Sequence, residues 1–170
     1  MNYEIIHRCM QRELRALRRE LDAYPDDDSL WELPPGITNS AGTLMLHLAG
    51  NLQHFVGRHL GGTTYVRNRE AEFSRRGVSR AEIAKELDAT AAAVDQGFAN
   101  VTDTIISARY PEQIGGMTFS TGDWLVHLVA HLGYHVGQID YHRRLVLGDP
   151  TTVDAVPVKE LPVWEAHDDK

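Results

Sequence analysis

The sequence predicts an all-α protein, a four-helix bundle followed by an irregular C-terminal tail. Four long segments carry apolar residues at helical spacing, and stretches that contain glycine or proline separate them. Strand-type alternation is confined to short pieces. A chain of 170 residues fits one domain. We therefore expect the bundle to occupy residues 1–148 and residues 149–170 to form a tail, not a separate domain.

The first helix is predicted over residues 2–23. Arginine and glutamate cover one side of this segment, as expected for a face in contact with solvent. Pro25 follows the helix, and Pro34-Pro35-Gly36 prevents an early restart. The other side carries apolar residues three or four positions apart: Ile5, Ile6, Met10, Leu14, Leu17 and Leu21.

The second helix is predicted to begin near Asn39 or Ser40, because either side chain can accept a hydrogen bond from the free N–H groups of the first turn. The helix runs to about Leu60, where Gly61-Gly62 ends it. Residues 63–78 are polar and charged, and their pattern indicates a connection of undefined structure.

The third and fourth helices both have recognisable start signals. The sequence Ser79-Arg80-Ala81-Glu82 is a capping box, and the helix that follows should fade near Thr104. Ser120 and Asp123 form a second signal of the same type, so we expect the fourth helix to start near Ser120 or Thr121. It should end at Leu147, before Gly148-Asp149-Pro150.

Composition excludes several classes of protein. The net charge is −7, a poor match for a phosphate backbone, so we expect no nucleic-acid partner. The lone Cys9 cannot form an intrachain disulfide or a thiolate-rich zinc site. Apolar runs are far shorter than the roughly 20 residues that span a bilayer, and no signal peptide is visible. We therefore expect no membrane association and a cytoplasmic location.

The fourth predicted helix concentrates the histidines of this chain, which has nine in total. His127, His131 and His135 are four residues apart, so their side chains form a narrow stripe, and an i, i+4 pair can reach one metal ion. A third ligand must come from another helix, where His47 and His54 compete. The alternative is that these histidines are hydrogen-bonded core residues without a metal. The remaining histidines have no such case: His7, His59, His142 and His167.

The glutamate-containing HExxH motif is absent from this stripe, because Leu128 follows His127. The chain therefore lacks the glutamate that serves as general base in metalloproteases of this type, which excludes that class. Metal-bound histidines need partners that orient their second ring nitrogen. Residues within helical range of the site are Gln138, Asn51, Asp123 and Asp140, and the sequence does not choose among them.

Three stretches of the chain together resemble the DinB/YfiT-like superfamily over about residues 2–147. They are Trp31 with Pro34-Pro35-Gly36, then His47-Leu48-Ala49, then His131-Leu-Gly-Tyr-His135-Val-Gly137-Gln138-Ile139. The resemblance implies an up-down-down-up bundle, a homodimer, and a divalent metal, nickel or zinc, held by three histidines. Carried over by position, these ligands are His47, His131 and His135.

Two further positions bear on the resemblance. His127 matches a histidine of some family members. Val136 stands where many members have an arginine, so no function of that arginine is carried over. The family includes thiol transferases and isomerases that use low-molecular-weight thiols such as bacillithiol or mycothiol. We therefore expect a metal-dependent thiol transferase or hydrolase with a small-molecule substrate and a thiol co-substrate. The alternative is a non-catalytic bundle that binds a metal or another ligand.

Overall fold

The computed structural model describes residues 3–154 and 156–161 and confirms the all-α prediction. In this part of the chain the only extended pairings are two isolated bridges, Arg109 with Ser120 and Ile114 with Met117. The α-helices are α1 (Tyr3–Asp22), α2 (Ala41–Leu52), α3 (Arg69–Ser74), α4 (Arg80–Ala99), α5 (Asp103–Ser107) and α6 (Thr121–Leu147). Two 3₁₀ turns lie at Ser29–Trp31 and Val158–Glu160.

The core lies between the four longest helices. Helix α1 packs against α4 and α6, and α2 packs against the same two helices. Each long helix thus has two long neighbours, as expected when apolar stripes turn to a common interior. The up-down-down-up order remains a prediction. Fully buried side chains from all four helices meet in the centre: Met10, Leu17, Met45, Leu48, Ile83, Val94, Leu125 and Leu132.

The predicted start signals operate as expected. Ser79 and Glu82 form the capping box that begins α4. Ser120 accepts a hydrogen bond from the backbone N–H of Asp123 and begins α6. Gly148 ends α6 with φ of +63°, a left-handed conformation that glycine adopts without strain. These local signals therefore fixed the ends of the helices on which the histidines lie.

Two boundaries differ from the prediction. Helix α4 ends at Ala99, not near Thr104, because Thr102 caps the N–H of Ile105 and starts the short helix α5. The second predicted helix does reach Arg58, but its last six residues, Gln53–Arg58, form a π-helical turn. The connection 63–78 also contains structure, since α3 lies within it.

A charged network lies inside the packed helices. Glu20 of α1 is 0% exposed and Arg143 of α6 is 1% exposed, and the Arg143 Nε donates to Glu20 Oε2 at 2.7 Å. Arg143 also donates to Asp140 at 3.2 Å. Burial raises the pKa of Glu20 more than the Arg143 guanidinium lowers it. The network therefore fixes α6 to α1 through charges that each need their partner.

The described part of the tail lies along α1. Arg15 and Arg19 pair with Glu160, and Arg19 also donates to the Val153 carbonyl. Whether residues 149–170 remain outside the domain stays a prediction, and His167 lies outside the described residues. None of the helices that the structure describes combines the length and the apolar character needed to cross a membrane.

Candidate metal centre

Three imidazole rings converge between α2 and α6. The Nε2 atom of His131 lies 3.3 Å from His47 Nε2 and 3.1 Å from His135 Nε2. His47 is buried, and His131 and His135 are half-buried. The structure thus brings together the three residues predicted from the sequence, and their ligand atoms could hold one metal ion.

His127 does not join this cluster although it continues the stripe. Its ring is exposed, stacks on Trp124 at 4.9 Å between centroids, and lies 6.2 Å from the His131 ring. Each step of four residues turns about 40° around the helix axis, so one further turn carries the side chain away from α2. The alternate role predicted for His127 therefore has no support in the geometry.

A buried carboxylate orients His47. The Nδ1–H of His47 donates to Glu72 Oε2 at 2.9 Å, and Arg67 donates to both Glu72 oxygens, at 2.7 and 2.9 Å. Burial raises the pKa of Glu72, but the hydrogen bonds from Arg67 and His47 outweigh it, so the pKa lies below its ordinary value. An ionised Glu72 holds the proton of His47 on Nδ1 and leaves Nε2 as an acceptor.

Sequence reasoning missed Glu72. It lies on α3, within the connection to which no structure was assigned, and 25 positions separate it from His47. The space for its side chain comes from Gly50: a Cβ there would lie 2.8 Å from Glu72 Cδ. A glutamate five residues after an arginine in a polar segment carries no sequence signal that distinguishes it from solvated neighbours.

Gln138 orients the third ring. The Nδ1–H of His135 donates to Gln138 Oε1 at 2.6 Å, and Gln138 Nε2 donates to the Tyr134 hydroxyl at 3.1 Å. Of the four residues considered from the sequence, only Gln138 forms a hydrogen bond with a ring of the cluster in the described part of the chain. The Asp123 carboxylate accepts a hydrogen bond from the Ser120 hydroxyl at the start of α6, and Asp140 pairs with arginines. The Oδ1 of Asn51 is buried without a hydrogen-bond partner in the described residues.

The surroundings keep the α6 imidazoles neutral. Burial, together with the neighbouring histidines, lowers the pKa of His131 to about 4. Burial also lowers the pKa of His135, more than the hydrogen bond to Gln138 raises it. Neutral imidazole is the form that binds a metal ion.

The donor set fits a divalent ion. In a tetrahedral site with bonds of about 2.0–2.1 Å, two nitrogens lie roughly 3.3 Å apart. The two measured separations are 3.3 and 3.1 Å. Since Glu72 and Gln138 hold the protons of His47 and His135 on Nδ1, two lone pairs point at His131 Nε2, which has at most one proton to share. A cation at this point would satisfy all three nitrogens.

A cavity adjoins this cluster. Its volume is about 440 Å³, and Gln138, Tyr141 and His142 of α6 form one wall. Leu44, three residues before His47, also lines the cavity, together with residues 36–39. Gln138 therefore contacts both the candidate metal ligand His135 and the cavity.

His54 lies in a different cluster, which overturns its role as the competing third ligand. Its Nε2 donates to Glu112 Oε2 at 2.7 Å, and His59 Nε2 donates to the same oxygen at 2.7 Å. His54 lies seven residues after His47, so the rise of the helix separates them by about 10 Å. His59, to which the sequence assigned no role, is the partner that the π-helical turn brings beside His54.

Comparison with known proteins gives two similarities. The family model described as the DinB superfamily matches residues 10–139. The fold is similar to the crystal structure of a DinB-like protein from Bacillus cereus ATCC 10987, with a TM-score of 0.63 and 19% sequence identity over 78% of this chain and 85% of that chain. No curated protein matches the sequence significantly.

Proposed function

The chain belongs to the DinB superfamily, and from this premise we propose that it binds one divalent metal ion, nickel or zinc, through His47, His131 and His135. The observation that carries the proposal is that the Nε2 atoms of His47 and His135 both lie within 3.3 Å of His131 Nε2. Each residue sits on a long packed helix, so the arrangement is rigid.

The residues around the rings support this assignment. Glu72 and Gln138 accept from Nδ1 of His47 and His135, which is the arrangement that fixes the tautomer of metal-binding histidines. Arg67 in turn holds Glu72 with two hydrogen bonds. Histidines that only filled the core would not require these hydrogen-bonding partners at Nδ1.

We further propose that the site serves a metal-dependent thiol transferase or hydrolase. Three protein ligands leave a divalent ion with an open position, and such an ion supplies a positive charge that lowers the pKa of a coordinated thiol or water. Gln138 holds the His135 ring at the edge of the 440 Å³ cavity, where a small-molecule substrate and a low-molecular-weight thiol would enter. Leu44 and Leu145 contribute apolar side chains to the lining of that cavity.

One observation favours the alternative, a bundle that binds a metal or another ligand without catalysis. In the described part of the chain, the only carboxylate that forms a hydrogen bond with any of the three rings is Glu72, and Arg67 and His47 already engage it. In the proposed reaction, the proton of the coordinated thiol or water must therefore pass to solvent, because no free carboxylate at these rings is available as a general base.

Metal analysis tests the first part of the proposal. The untagged protein, loaded with Ni²⁺ or Zn²⁺ and desalted, should retain at least one equivalent, and His131→Ala should lose it. Retention below about a tenth of an equivalent by the wild-type protein would contradict the metal site. Activity is then measured on a panel of electrophiles with bacillithiol, mycothiol, glutathione and coenzyme A. If any turnover is unaffected by His131→Ala and His135→Ala, the protein is not a metal-dependent enzyme at this site.

A homodimer is the proposed assembly. Tyr134, Tyr141 and Leu145 are 65%, 75% and 60% exposed and lie on one side of α6, at positions seven and four residues apart. An exposed stripe of large apolar side chains is typical of a surface covered by a partner. Sedimentation of the wild-type protein and of Tyr141→Glu tests this: the variant should sediment as a monomer, and a wild-type monomer would contradict the proposal.

A further inference from the structure

We propose that His54, His59 and Glu112 form a second divalent-metal site, separate from the three-histidine cluster. The ligand atoms of the three residues all lie within 4.8 Å of one another. Two imidazoles and one carboxylate are a donor set that suits Zn²⁺ and other first-row divalent ions. The proposal does not depend on the first site, since the two sites share no residue.

The backbone brings the two histidines together through an uncommon feature. In an α-helix, residues five apart point about 140° away from each other. Here the N–H of His59 bonds to the His54 carbonyl at 3.4 Å, and the N–H of Gly61 bonds to the Val56 carbonyl at 3.0 Å, both i to i−5. The π-helical turn places both rings on one side, with centroids 4.9 Å apart. Such turns are frequent at functional sites.

The carboxylate comes from a segment that is fixed to this turn. Glu112 follows Tyr110, which is 1% exposed and whose hydroxyl donates to the Phe55 carbonyl within the π-helical turn at 2.5 Å. The Tyr110 ring also packs on His59, with centroids 5.6 Å apart. The backbone that leads to Glu112 is therefore anchored to the π-helical turn beside the two histidines.

The chemical state of the residues suits a cation. Burial lowers the pKa of His54 more than Glu112 raises it, so the ring is neutral at pH 7. Burial raises the pKa of Glu112, but the hydrogen bonds with both histidines lower it by more, so the pKa lies below its ordinary value and the carboxylate is ionised. The His54 and His59 side chains are 16% and 21% exposed, and a cavity of about 240 Å³ borders His59 and gives room for a non-protein ligand.

The second site should bind more weakly than the first. With a metal ion at Nε2, the one proton of the His54 ring moves to Nδ1, and that atom is buried without a hydrogen-bond partner in the described residues. In the first cluster, Glu72 and Gln138 provide such partners. Loss of a partner of this kind typically weakens a site about 10- to 100-fold.

Calorimetric titration of the full chain with Zn²⁺ tests the proposal. The wild-type protein should bind two equivalents, the second about 10- to 100-fold more weakly. His131→Ala/His135→Ala should lose the tighter equivalent and keep the weaker one. Adding Glu112→Gln to that variant should abolish the remaining binding, whereas adding Asp103→Asn, which changes the charge equally at an exposed position, should not.

Thermal unfolding gives a second readout. Zn²⁺ should raise the Tm of His131→Ala/His135→Ala, because only the folded chain assembles the site, and His59→Ala in the same background should remove the shift. The proposal is overturned if the double variant binds no Zn²⁺, or if Glu112→Gln and His59→Ala both leave the weaker equivalent intact. Loss of the tighter equivalent alone concerns only the three-histidine site, so the two proposals fail separately.

Discussion

Replacing Glu72 by glutamine tests whether the buried carboxylate, and not the three rings alone, sets the metal affinity. The substitution keeps the size of the side chain and removes one charge. Glu72 accepts three hydrogen bonds, one from His47 and two from Arg67. Glutamine has a single acceptor oxygen, so at least one of these donors must face its NH₂ group.

The expected loss follows from this mismatch. If the amide NH₂ faces His47, the proton of the ring moves to Nε2, the atom that points at His131, and that tautomer cannot bind the ion. If the NH₂ faces Arg67, the buried guanidinium loses half of its partner. Second-layer partners of metal-binding histidines typically contribute 10- to 100-fold, so we expect the Kd to rise by that factor, or about 1.4–2.7 kcal/mol.

Competition between the protein and a colorimetric chelator for Ni²⁺ or Zn²⁺ measures this Kd. Glu70→Gln is the matched control, because Glu70 is exposed on the same helix and the charge change is equal. Long-range ¹H–¹⁵N spectra of the histidine rings report the tautomer directly. A folded Glu72→Gln protein whose Kd lies within twofold of Glu70→Gln, with His47 still protonated at Nδ1, would refute the reasoning.

Three further predictions concern the packing around the site. Gly50→Ala should weaken metal binding in the chelator assay, because the added Cβ would lie 2.8 Å from Glu72 Cδ, although alanine favours a helix by about 1 kcal/mol. Unchanged binding would show that the Glu72 carboxylate can move freely. Arg143→Met should lower the free energy of unfolding, measured in urea, by about 3–5 kcal/mol, since it leaves Glu20 buried and unpaired. Arg144→Met, at a partly exposed position, should lower it by no more than about 1 kcal/mol. Equal losses would contradict the role of the charged network. Burial lowers the pKa of His142 more than its hydrogen bond with the Glu32 carbonyl raises it, so the unfolded chain takes up more protons and stability should fall as the pH drops below about 6.5. In urea unfolding, His142→Gln should lose less stability than the wild-type protein between pH 7 and 5.5. An equal loss would show that His142 does not cause this pH dependence.

The helices that carry the candidate site could be predicted because their signals are local. The side chains of Ser40, Ser79 and Ser120 each cap the start of a long helix, and Gly148 ends the last one. The spacing of His131 and His135 needs only one α-helix to place both rings together. These features depend on residues within a few positions of each other, which is the range over which sequence patterns are informative.

Other parts of the prediction failed where the determinant was not local. His54 was a competing candidate for the third ligand because it lies on nearly the same face of an ideal α-helix as His47. The rise of the helix separates His54 from His47 by about 10 Å, and the π-helical turn at Gln53–Arg58 brings His59 beside His54, so that both rings face Glu112. The hydrogen bond of Phe55 with Tyr110, 55 positions away, is one of the contacts that hold this turn, and no local pattern encodes it.

The sequence by itself determined the all-α class, the helix starts and the candidate pair on α6. The family resemblance chose His47 as the third ligand. Only the tertiary structure decided that Glu72 and Gln138 fix two rings of the cluster, and that His54 and His59 meet at a second carboxylate. The physical reason is the range of the interactions. Caps and helical faces arise within one or two turns, whereas a carboxylate reaches a ring only after packed helices bring distant segments to within hydrogen-bond distance.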